Sequence, residues 1–350
     1  MPPGRPELDL ELLAGLPFAC RPDCGLCCFA SPRVSVAESE ALRRIVPDVD
    51  LQVRGRDRFV AARPNGGACP FLTERRCRVH AARPAPCREF PVEVHVGERL
   101  QASLVLSCPG IDLGGLTSFL PRGRSTEVVG LEAEVASVLA RVDGGTMRRV
   151  EEAARRRRRL VRALEAAGRW VSEAETRRRL DRDLPTPIDS DFGDDDLPRV
   201  ADGLERLPLF FDGRAGPVGM AAALGGSELL VLAAEGGVER SLGVYPPVER
   251  APRMTADGAR LLEGYLRYWL ARDRLFGTVL LAMADSDEGD VPAWTAAELR
   301  AIAATTLSRA VLRARSLGVG DPPLGPEEIA RGIRATDQDL LDRPTWGDRL

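Results

Sequence analysis

The chain of 350 residues is 44% hydrophobic and 29% charged, a composition that can bury a core and is not that of a disordered polypeptide. Its 49 basic and 52 acidic residues leave a net charge of −3, so no overall basic field draws it to nucleic acid or to an acidic membrane surface. Every basic residue is an arginine, which excludes a Walker A lysine and Schiff-base chemistry, and the two histidines, His80 and His95, exclude HExxH zinc sites and multi-histidine centres.

The cysteines all fall between residues 20 and 108. Cys20, Cys24, Cys27 and Cys28 form a first run, with Pro22 and Gly25 bending the backbone between them. Such a loop turns several sulfurs toward one point, as tetrahedral zinc and iron–sulfur centres require. Neighbouring side chains such as Cys27 and Cys28 usually diverge, so at least one further ligand is expected from elsewhere. Ser35 and Glu38 then make a capping-box pattern for a short helix through Ile45, ended by Pro47, and residues 58–61 predict a strand. Cys69, Cys77 and Cys87 form a second, proline-rich run, in which Arg83 and Arg88 are candidates to offset thiolate charge. Residues 92–96 and 100–106 predict a hairpin turning at Gly97-Glu98. Its antiparallel pairing would bring Cys87 and Cys108 together at the open end. His95, on the strand face shared with Glu93, is expected at the surface or behind a ligand rather than in the chemistry.

From residue 127 to 180 the apolar spacing is helical, broken into two helices at Gly144-Gly145. The run Arg155 to Arg159 follows Glu151 and Glu152 by one turn, so a solvated, self-paired face is expected there rather than a patch for an anionic partner. Residues 183–202, with Pro185, Pro187 and the acidic stretch Asp189, Asp191, Asp194, Asp195 and Asp196, read as an exposed linker. Short apolar runs at 207–211, 218–224, 228–233 and 241–245 predict a small antiparallel meander, and helices are predicted at 256–276, 292–317 and 326–334. Gly318-x-Gly320 lacks the strand, helix and third glycine of a dinucleotide fingerprint. No apolar run approaches a bilayer span and no leader-like segment is present, so a cytoplasmic protein is expected. In a reducing compartment clustered cysteines point to metal rather than to disulfides.

The motifs Cys-x3-Cys-x2-Cys-Cys, Cys69-Pro-Phe-Leu, Cys77-x-Val-His, Arg83-Pro-x-x-Cys-Arg-x-Phe-Pro and Ser107-Cys-Pro-Gly resemble those of the YkgJ-type cysteine-cluster family, the zinc- or iron-chelating CxxCxxCC domain, over about residues 18–112. More distantly the layout is similar to that of FliB-like flagellin lysine N-methylases, which are associated with an iron–sulfur cluster. The resemblance implies metal ligation by Cys20, Cys24, Cys27, Cys28, Cys69, Cys77, Cys87 and Cys108, and leaves His80, where the family tends to carry tyrosine, open as a ligand. The first three cysteines also share the spacing of radical S-adenosylmethionine enzymes, but the loop-rich sequence after them lacks the β–α units those enzymes need.

The expected fold is α+β. A loop-rich metal domain with a β-hairpin (1–125) leads through a helical connector (126–182) and the acidic linker (183–202) to a helix-rich accessory domain with the meander (203–350). The expected function is chelation of zinc or iron, as an ion or an iron–sulfur cluster. A cluster-dependent protein-modifying enzyme resembling the lysine methylases and a metal donor or storage protein stand as alternatives. The metal is the expected partner, the C-terminal domain is open to a protein partner, and neither nucleic acid nor membrane is implied.

Overall fold

The structure, a computed structural model, describes residues 7–20, 26–29, 32–54, 57–61, 69–73, 76–119, 130–185, 207–211, 218–223, 229–235, 238–246, 248, 251–340 and 348–349. The fold class is α+β, with strands concentrated in the N-terminal third and in one later meander, and helices elsewhere.

Three small sheets shape the cysteine-bearing third. Strand β1 (Leu8–Asp9) precedes the first cysteines; β2 (Arg33–Val34), β3 (Leu51–Arg54) and β4 (Asp57–Val60) form a sheet in the order β2-β4-β3. Helix α1 (Val36–Ile45) starts as the sequence predicts: the Glu38 amide donates to Ser35 Oγ at 3.2 Å, and the Ser35 amide donates to Glu38 Oε2 at 2.8 Å. Strands β5 (Leu72–Thr73) and β6 (Arg76–Cys77) pair antiparallel, and helix α2 (Ala85–Glu89) carries Cys87. The predicted hairpin is present as β7 (Val92–Val96) and β8 (Leu100–Leu104), with Val92 opposite Leu104 and Val96 opposite Leu100. Its second strand stops at Leu104, two residues short of the prediction. Beyond that point one more cross-hairpin bond, from the Val105 amide to the Pro91 carbonyl at 2.8 Å, is joined by side chains from distant helices.

Three helices follow where two are predicted: α3 (Glu132–Arg141), α4 (Gly144–Ala166) and α5 (Glu173–Arg182). The predicted break stands between α3 and α4: Asp143 caps α4, accepting from the Thr146 amide at 2.8 Å, and Gly144 and Gly145 open that helix. The unpredicted second break lies at Gly168, whose φ of +69° is a helix-ending conformation, followed by a new cap at Ser172. Glu151 pairs with Arg155 at 3.8 Å and Glu152 with Arg156, the self-paired face expected. Arg157 instead reaches Glu98 at 2.7 Å and Glu173 at 2.6 Å.

The meander is observed as β9 (Leu207–Phe211), β10 (Val218–Ala223), β11 (Leu229–Glu235) and β12 (Val238–Tyr245), each antiparallel to the next. The aspartates predicted in a linker, at 189, 191 and 194–196, lie outside the described residues. Four helices follow: α6 (Ala256–Ala271), α7 (Asp273–Ala284), α8 (Val291–Ser316) and α9 (Pro326–Leu340). The sequence reading runs α6 on to residue 276 and misses α7. The break is at Arg272, which turns to φ −73°, ψ 126° and is only 1% exposed. Strand β13 (Asp348–Arg349) returns to the hairpin, giving a sheet of order β1-β8-β7-β13.

One buried apolar cluster includes Leu12, Leu100, Leu104, Leu106, Leu116, Tyr265, Leu307 and Ile333, so the hairpin and the C-terminal helices share a core. A second, much smaller cluster of Val34, Leu42, Val60, Cys69, Phe71 and Val79 lies under the cysteine loops. Among the described residues no helix is long and apolar enough to cross a membrane.

Candidate metal centre

Three backbone contacts bring the separated cysteine segments together. The Cys69 amide donates to the Cys28 carbonyl at 2.5 Å, joining the first run to the second. The Ala19 amide donates to the Gly110 carbonyl at 2.9 Å beside an antiparallel bridge between Phe18 and Ile111, joining the first run to the Cys108 turn. Opposite Leu72, Cys77 sits in the β5–β6 pair, whose Arg78 amide donates to the Phe71 carbonyl at 2.9 Å. At Gly110 a Cβ would lie 2.6 Å from the Ala19 carbonyl oxygen, so the glycine of the Ser-Cys-Pro-Gly motif is required by this close approach.

Helix α1 fixes the position of α2. Glu38, already bound to its own cap, accepts from the Ala85 amide at 2.7 Å through its other oxygen, and Arg88 lies 3.6 Å from the same oxygen. Arg88 also donates to the Arg83 carbonyl. Of the two arginines flanking Cys87, Arg88 is therefore an outward brace, while Arg83 faces the thiols.

The result is a cavity of about 430 Å³ walled by Cys20, Cys27, Cys28, Cys69, Cys77, Cys87 and Cys108, together with His80, Arg83 and Glu134. Each of these seven cysteines carries a thiol rather than a disulfide. Cys24 lies outside the described residues. Cys69 and Cys108 are buried, Cys27, Cys28, Cys77 and Cys87 half-buried, and Cys20 and His80 exposed. Among the described residues no three of the His, Cys, Asp and Glu side chains are gathered closely enough to hold one ion. The thiols line the cavity without converging on one point. His95 is not at the surface as expected. It is 5% exposed, in register with Arg349 of β13, which covers that strand.

The thiols influence one another strongly. A hydrogen bond from the Cys28 thiol, helped by the Arg83 guanidinium and opposed by burial, lowers Cys27 to about 7. Donating that bond raises Cys28, and burial with the nearby Cys27, Cys69 and Cys77 raises it further. Burial pushes Cys87 up to about 12, reinforced by Cys27, Cys69 and Cys77 and opposed by Arg83. Burial likewise raises Cys20 and Cys77. Such a set cannot ionise together unless a cation enters, because like charges in a part-buried site suppress each other. Arg83 bears on Cys20, Cys27, Cys77 and Cys87 alike, and its Nε is buried with no hydrogen-bond partner among the described residues. The donor set thus fits a thiophilic cation, whose binding displaces the protons.

Residues 19–108 match the family model CxxCxxCC, described as "Putative zinc- or iron-chelating domain". The match covers residues 19–108 of the 350-residue chain. Comparison with curated proteins and with solved structures gave no match.

Two features of the site lie beyond the CxxCxxCC domain, and sequence reasoning missed both. Glu134 on α3 reaches the cavity wall, where its charge bears on Cys20. Its signal was legible in principle: Leu131, Val135 and Val138 are buried, and an acid at 134 falls on their face. The second is the set of C-terminal side chains that bond the Cys108 turn, for which a single sequence carries no signal, since the contacts span more than 220 residues.

Proposed function

We propose that the protein binds zinc or iron through thiolates drawn from Cys20, Cys24, Cys27, Cys28, Cys69, Cys77, Cys87 and Cys108. The observation that carries this reading is the single cavity walled by seven of these cysteines, which come from loops far apart in sequence. Thiolates hold such metals at about 2.3 Å. Arg83 would offset part of the negative charge of a thiolate-bound centre, and the apolar walls at Phe18, Phe71 and Phe90 would keep water from the sulfurs. A bound metal supplies Lewis acidity, or electron transfer if it is iron. The chain's own part is to hold the thiols, neutralise their charge and shield them.

A second reading, an iron–sulfur cluster, is favoured by the number of thiols on the cavity wall, seven, where a single tetrahedral ion takes four. Both readings suit a reducing, cytoplasmic setting, in which the thiols stay available.

The test is metal and acid-labile sulfide analysis of anaerobically purified wild type beside Cys24→Ser and Cys87→Ser. Loss of metal from both variants is expected if the two runs share one centre. Iron with matching sulfide would select the cluster, and zinc without sulfide the single ion. Full retention by both variants would overturn the proposal, and loss from Cys24→Ser alone would overturn the shared centre.

A further inference from the structure

Cys108 reaches the cavity on a turn held from two sides: within the cysteine-bearing segment the Val105 amide donates to the Pro91 carbonyl at 2.8 Å and the Cys108 amide to the Val105 carbonyl at 3.0 Å, and the C-terminal helices add side-chain bonds. Regular strand pairing ends at Leu104, and from there three side chains of the C-terminal helices bond the backbone as well. Tyr268 on α6 accepts from the Leu104 amide at 2.7 Å, and Asp337 on α9 accepts from the Leu106 amide at 2.7 Å. Arg334, one helical turn before Asp337, donates to the Leu106 carbonyl at 3.2 Å and to the Ile111 carbonyl at 3.0 Å, and it also donates to the carbonyl of Cys108 itself. One guanidinium therefore spans the turn from end to end and fixes the peptide unit that bears the thiol.

The support behind Arg334 is rigid. Asp337 is fully buried and held by Arg272 at 3.1 Å, and Arg272 in turn donates to the Leu104 carbonyl and lies 4.2 Å from the Trp269 ring centre. At Gly332, two residues before Arg334, a Cβ would lie 2.3 Å from the Thr306 carbonyl of α8, so α9 sits against α8 at backbone distance. Helix α9 thus has little freedom to slide without carrying the Cys108 turn with it.

We propose that Arg334 is a positioning residue for Cys108, and that through it metal binding in the cavity and the docking of α9 strengthen each other. The inference rests on the metal-binding reading above. Its physical basis is linkage: a ligand that prefers one placement of Cys108 stabilises whatever holds that placement, and the holding element raises the affinity for the ligand by the same factor. Backing groups of this kind typically change metal affinity roughly 10- to 100-fold.

The test uses the full chain and Co(II) as the probe, with Arg334→Leu, Arg334→Lys, Cys108→Ser and the double variant Arg334→Leu/Cys108→Ser. Two readouts are needed: Co(II) affinity by chelator competition, with the thiolate-to-metal absorbance per bound ion, and the alkylation rate of Cys108 in metal-free protein by peptide mapping. Arg334→Leu is expected to speed alkylation at Cys108 over the other thiols, to weaken Co(II) binding roughly tenfold or more, and to lower the absorbance per ion. Arg334→Lys, able to keep only part of the bonding, should fall between. Added to Cys108→Ser, the arginine change should cost nothing further. Unchanged Cys108 alkylation in Arg334→Leu would overturn the positioning role. Altered alkylation with unchanged Co(II) binding would overturn the link to the metal. Equal losses of affinity with and without Cys108 would reduce Arg334 to general support of the fold and overturn the proposal. Failure of wild type to take up Co(II) would instead sink the metal-binding reading, while the alkylation result would still judge the placement of Cys108.

Discussion

Cys27 and Cys28 show how adjacent identical residues acquire different chemistry. Joined by a thiol–thiol hydrogen bond, one is lowered to about 7 and the other raised. In metal-free protein the thiolate fraction of Cys27 therefore rises with pH through neutrality, while Cys87, pushed up to about 12, stays protonated. Peptide-mapped alkylation should show the Cys27 rate half-maximal near pH 7 and Cys87 slow and nearly flat up to pH 9. A Cys27 profile centred near the free-thiol value of about 8.5 would show that the bond is not made. At this scale the sequence is informative about residue type and spacing, because thiols grouped between bends have few other uses. It is silent on the inward turn of Arg83 against the outward turn of Arg88, since that depends on which helix packs where, while Glu134 is marked only by its place on the apolar face of α3.

Helix α1 is the element on which much of the site's geometry rests. Its cap residue Glu38 also bonds the first amide of α2, so the cap serves two helices. Ser35→Ala removes one side of the capping box and is expected to lower stability by about 1 kcal/mol, read by denaturant unfolding. An unchanged midpoint would show that the Glu38–Ala85 contact alone positions α1. The start of α1, the hairpin register and the order of the meander are all legible in sequence, because caps, turns and alternation are local signals. The break at Arg272 is not. An arginine between two apolar helical stretches looks like an ordinary exposed position, and only the buried Asp337, 65 residues on, explains why the backbone turns to bring it inside.

Across the whole molecule, the apolar cluster that includes Leu100 and Leu106 also includes Tyr265 and Ile333, so the hairpin following Cys87 is anchored in the helical part rather than in the small cluster beneath the cysteine loops. Replacing Asp337 with alanine would leave Arg272 buried without its carboxylate and the Leu106 amide without its acceptor. A loss of about 3–5 kcal/mol is expected, measured by denaturant unfolding; a loss below about 1 kcal/mol would mean that water replaces the carboxylate freely. The division of the chain into helical and cysteine-bearing parts is visible in composition, yet their shared core is not, because the residues that meet are spaced by most of the chain's length.

The sheet order β1-β8-β7-β13 places residues 8–9 on one edge of the hairpin and residues 348–349 on the other. On a ribosome that adds about 5–20 residues per second, all the thiols emerge well before the strand that closes the hairpin's sheet and the helix that grips the Cys108 turn. For that interval the nascent cysteine segment lacks part of its support, and the finished architecture of the pocket is available only once α9 and β13 have been made.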